Sequence, residues 1–144
     1  MSTNELQQIR RVFQGLQTLY QTHLPKVDSA LIHDLLIREL NKKSSETSAL
    51  SPFYIVEIRT EKGTDQEKIK NMIFEKTGFL PSITENGTHY IANMRLSLEL
   101  LKEMSESEES IERITGDYTG GIGGRRYQHI RSNFHFKFHH LILD

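Results

Sequence analysis

The chain has no cysteine and no tryptophan, and only three prolines in 144 residues. Without thiols there can be no disulfide scaffold, no thiolate zinc site and no cysteine nucleophile. That usage fits a reducing compartment. An excess of one charge is missing too, since 18 Lys plus Arg stand against 19 Asp plus Glu. No overall field therefore selects a polyanion or an anionic membrane, and any such role must come from a local patch. No apolar run approaches the ~20 residues that cross a bilayer. Met1 to Arg11 is polar and sets Arg10 and Arg11 inside a helical pattern, not a basic stretch followed by an apolar run. A cytoplasmic protein without a membrane segment is expected. What is present is modest: 36% apolar and 26% charged residues. This suffices for one core at the commonest domain size and leaves no surplus, so a fold that leans on a partner, such as another copy of itself, is expected.

Leu6, Ile9, Phe13, Leu16 and Tyr20 recur at steps of three and four, which predicts a helix over about 3–22. Pro25 punctuates it. Asp28 is placed to cap a second helix with an apolar face of Leu31, Ile32, Leu35, Leu36 and Leu40. Residues 1–43 thus form a helical arm, expected to self-associate. The serine-rich 44–52, closed by Pro52, is a linker. Phe53 to Thr60, FYIVEIRT, is β-branched and aromatic with both faces apolar at its start, as an interior strand requires. Thr64 to Glu67 spells a capping box before a helix carrying Ile69, Met72 and Ile73, which Gly78 ends. Leu80 to Glu85 and Thr88 to Arg95 flank Asn86-Gly87, the pair that suits a two-residue hairpin turn. Ser97 caps a helix with Leu98, Leu101 and Met104, and Ile111 to Tyr118 reads as the last strand.

Strand, helix, hairpin, helix, strand predicts an α+β fold of ferredoxin-like (split βαβ) type over 53–118, an antiparallel sheet with helices on one face. A glycine-rich tail and a terminal β-hairpin are expected over 119–144.

The chemical signatures are weak. Four of the seven histidines fall in the last sixteen residues, yet no carboxylate or thiolate spacing nearby completes a metal site, so no metal and no cofactor is expected. The glycines at 120–124 are followed by Arg125 and Arg126, where a nucleotide-binding loop needs Lys and then Ser or Thr. Arg125, Arg126, Tyr127, Arg131 and Lys137 form a basic, aromatic-interleaved patch that could contact nucleic acid. The run Glu106 to Glu112 reads as a solvated face and not as an acid–base pair. The chain reads as non-catalytic.

FYIVEIRT, a helix, HYIANMRLSLELLKEM and SIERITGDY together resemble the propeptide domain of subtilisin-like proteases and the free inhibitors related to it. Tyr54, Ile55 and Val56, Leu96 and Ser97, and Asp117 stand at the matching places, over about 65 residues. The resemblance implies a ferredoxin-like fold that docks on a protease, with Asp117, Tyr118, Thr119, Gly120 and Gly121 as the segment lying on the partner. Two functions follow as expectations. One is a protein-binding module, propeptide-like inhibitor or chaperone. The other is a homodimeric regulatory or nucleic-acid-binding protein that uses the basic, His-rich C-terminal hairpin.

Overall fold

The computed structural model describes residues 2–42 and 51–120. They form α1 (Thr3–His23), α2 (Ser29–Leu40), β1 (Phe53–Thr60), α3 (Gln66–Thr77), β2 (Ser82–Thr84), β3 (His89–Arg95), α4 (Leu98–Ser107) and β4 (Ile111–Tyr118), with a 3-10 turn over Glu85–Gly87. The element order from 53 to 118 is the predicted one. The strands make one antiparallel sheet in the order β2-β3-β1-β4. β1 lies inside it, between β3 and β4, as its two apolar faces require.

Alternation along the strands sends Tyr54, Val56 and Ile58 of β1, Tyr90, Ala92 and Met94 of β3, and Ile114 of β4 to one face. There they meet Ile69, Met72 and Ile73 of α3 and Leu101 and Met104 of α4. Each of the larger of these buried side chains contributes about 1.5–3 kcal/mol.

The amino-terminal segment divides at Leu24. Leu24, Val27, Leu31, Ile32 and Leu35 belong to the same core as the sheet. Asp28 N–H donates to Ile114 O (2.9 Å) and Ile114 N–H to Lys26 O (2.8 Å), so Val27 forms a short parallel bridge that covers part of the outer edge of β4. Arg113 pairs with Asp28 at 2.9 Å, and Lys26 Nζ donates to Glu108 O. Glycine at 116 allows this approach. A Cβ there would sit 3.0 Å from Ile55 O and 3.4 Å from Leu31 Cδ1. By contrast α1 has no buried residue and leans on α2 through Phe13 and Tyr20, both beside His33.

Three local expectations are corrected. Asp65, not Thr64, caps α3: its carboxylate accepts from the Glu67 and Lys68 amides, while the Thr64 hydroxyl donates to Glu61 O. A carboxylate at the cap also meets the positive end of the helix dipole, which favours it over a hydroxyl. The hairpin turn is wider than two residues. Thr84 and His89 are its last pair, and Glu85, Asn86 and Gly87 all take positive φ, at 53°, 56° and 84°. Local bonds hold this turn, with Thr88 Oγ1 donating to Glu85 O and buried Tyr90 Oη to Gly87 O. At Asp28 the expected helix-capping bond is not made by the side chain, which takes Arg113 instead. The terminal β-hairpin lies outside the described residues.

Candidate functional site on the open sheet face

The helices α2, α3 and α4 all pack on one side of the sheet. Among the described residues no helix covers the other side. Register assigns that second face, open in the sense that no described helix lies on it, row by row: Phe53 with Arg95; Ile55, itself buried, with Asn93 and Asp117; Glu57 with Ile91 and Thr115; Arg59 with His89 and Arg113. Ser82 and Thr84 extend the last two rows onto β2.

The face changes character along its length. At one end Phe53 makes an edge contact with Phe79 (ring centroids 5.8 Å) while the Arg95 guanidinium lies over its ring and donates to Ser51 O at 2.7 Å. Phe79 and Leu80 are exposed beside them. At the other end an open hollow of about 680 Å³ is lined by Arg59, Glu61, Lys62, Glu85, His89 and Glu112 among others. Arg59 and Glu112 approach to 3.5 Å across it. His89 Nδ1 lies 3.0 Å from Thr88 Oγ1, and burial holds its pKa below the ordinary value.

Between these ends sits Glu57. It is the one charged residue among the apolar side chains that open β1, and the pleat turns it to the open face, where it is only 7% exposed. Burial raises its carboxyl pKa to about 7, against the opposing pull of Arg59. Glu57 Oε2 and Asn93 Oδ1 are both buried without a hydrogen-bond partner. The two residues are diagonal neighbours on adjacent strands, with Cα atoms about 7–8 Å apart. A pair of buried acceptors lacking donors is costly as it stands and suits a ligand that brings donors, above all an ammonium or guanidinium.

The residues singled out from sequence fall in two groups. Asp117 and Tyr118 are the last residues of β4, not part of a free tail. Asp117 is on the open face beside Ile55. Tyr118 turns to the opposite side, where its ring stacks edge-on against Tyr54 and takes the Arg38 guanidinium 3.4 Å from its centroid. Arg38 and Tyr54 Oη both bond Asp34, and burial together with that carboxylate pushes the Tyr54 pKa up. Thr119 is buried, with its amide and hydroxyl both donating to Phe53 O. The chain leaves the sheet at Gly120, whose φ is 90°. Gly121, Arg125, Arg126, Tyr127, Arg131 and Lys137 lie outside the described residues, as do the four C-terminal histidines.

Glu57 and Asn93 were not singled out from sequence. One signal was there: a glutamate inside FYIVEIRT, with four apolar residues before it and Ile58 after it, is an unusual guest in an interior strand. Comparison with family models, with curated proteins and with solved structures finds no match to this chain.

Proposed function

We propose that the chain is a non-catalytic protein-binding module, built on a ferredoxin-like (split βαβ) unit, whose open sheet face receives a cationic segment of a protein partner. The strand order, with β1 and β3 interior and crossings through α3 and α4, supports the split βαβ reading. The observation that carries the binding reading is the buried acceptor pair Glu57 Oε2 and Asn93 Oδ1, set between an aromatic end and a charged end of the same face. A Lys or Arg side chain would satisfy both acceptors, and its charge would return Glu57 to its ionised form. The lack of cysteine supports a cytoplasmic setting.

The full chain probed against arrays of cationic, neutral and acidic peptides tests this. Selective retention of Lys- and Arg-containing peptides is expected, with affinity falling about tenfold or more in Glu57→Gln, as for loss of a charge-assisted hydrogen bond. Retention indifferent to Glu57→Gln and to Asn93→Ala would sink the reading. The narrower proposal of a propeptide-like inhibitor rests on the resemblance of 53–118. It predicts that the full chain inhibits a subtilisin-type protease and that ending the chain at Thr119 abolishes inhibition. Unchanged proteolysis at saturating chain concentration would refute it.

A further inference from the structure

We infer that α1 is the dimerisation element of this protein and pairs antiparallel with α1 of a second copy about a two-fold axis between Val12 and Phe13. This concerns a surface apart from the open sheet face, so either idea can fail alone. Leu6, Ile9, Val12, Phe13 and Leu19 are 41%, 55%, 61%, 52% and 54% exposed, on a helix with no buried residue. Phe13 and Tyr20 reach His33 of α2, which occupies only one edge of the stripe. The α2 surface adds exposed Ile37 and Leu40. A soluble monomer rarely leaves so continuous an apolar strip in water.

The spacing identifies the occupant. Leu6, Ile9, Val12, Phe13, Leu16 and Leu19 are separated by steps of three, three, one, three and three, the same read in either direction. A two-fold interface must be self-complementary, residue i meeting j while j meets i. Antiparallel pairing about the midpoint sets Leu6 on Leu19, Ile9 on Leu16 and Val12 on Phe13, so every layer is apolar. Charge agrees. Acidic Glu5 falls within about 4.5 Å, along the axis, of basic His23 of the second copy, at 1.5 Å rise per residue. A parallel pair would set Glu5 against Glu5 and align the two helix dipoles. A membrane surface fits less well. The polar side is rich in glutamine (Gln7, Gln14, Gln17, Gln21) and carries only Arg10 and Arg11, whereas helices that lie on anionic lipid are rich in Lys and Arg.

Sedimentation of the full chain at low and high micromolar concentration is expected to give a dimer. Val12→Asp should weaken it about tenfold or more by burying a charge in the central layer. Val12 is exposed in the protomer, so circular dichroism should show the variant folded. Because the chain lacks cysteine, single thiols report the pairing without background. A mixture of Ile9→Cys and Leu16→Cys chains should cross-link to each other on oxidation, while neither cross-links to itself. A monomer throughout, an Ile9→Cys chain that cross-links to itself as readily as to Leu16→Cys, or a monomer that sediments with anionic vesicles would each overturn the inference.

Discussion

Glu57 is a carboxylate held in a buried environment, only 7% exposed, and its titration can be followed. Its folded pKa, about 7, lies above the ordinary carboxylate value because burial penalises the charged form. A group with a raised folded pKa binds its proton more tightly in the native state. Its stabilising contribution is therefore complete below the unfolded pKa and is lost as pH rises through about 7. Between roughly pH 4.5 and 7 this amounts to about 3 kcal/mol as an upper figure. Glu57→Gln keeps the shape and removes the proton equilibrium. Urea unfolding is expected to give similar midpoints for the two proteins at pH 5 and a more stable variant at pH 8. Parallel midpoint curves from pH 5 to 8 would show that Glu57 ionises freely in the folded chain. The strand that holds Glu57 was legible in the sequence, but its role was not. Which face a residue takes depends on which side the helices choose, and β1 is apolar on both at its start.

At the scale of elements, the signals that held are those written in contiguous residues. The cap Ser97, the left-handed Gly78 and the β-branched, aromatic run of β1 place their elements as predicted. What escaped is set by contacts between distant segments. The bond from Tyr54 to Asp34, the pairing of Asp28 with Arg113 and the bridge at Val27 join residues 20 to 87 positions apart. Gly116 is the clearest case, because as a strand glycine it looks like a weakness. In the fold it is the gap into which α2 settles. Gly116→Ala is expected to cost about 1–3 kcal/mol, since the added methyl meets the Ile55 carbonyl at 3.0 Å and backbone cannot yield cheaply. Gly15→Ala has open space around its Cβ and lies inside a helix, so a gain of about 0.5–1 kcal/mol in helix stability is expected there. Thermal unfolding followed at the helical band separates the two signs; a neutral Gly116→Ala would mean that neither the Ile55 carbonyl nor Leu31 of α2 presses on this position.

For the molecule as a whole, the question is where the folding unit begins. Sequence reading placed the boundary at the serine-rich linker 44–52, because composition changes there. The core does not follow composition. Leu24, Val27, Leu31, Ile32 and Leu35 are buried with the sheet residues in one cluster, whereas nothing in α1 is buried. Five side chains at about 1.5–3 kcal/mol each are comparable to the entire net stability of a typical domain, about 5–15 kcal/mol. A chain beginning at Leu24 is therefore expected to unfold cooperatively in urea with a midpoint close to that of the full chain, and to sediment as a monomer because it has lost the α1 stripe. A chain beginning at Ser51 should lose cooperative unfolding, because the ceiling over Val56, Gly116 and Ile114 is gone and the outer edge of β4 is open. If the Ser51 chain instead melts as sharply as the full protein, α2 is an appendage and not a layer of the core. The contrast between the two truncations separates the helix that builds the fold from the helix that is available to a partner.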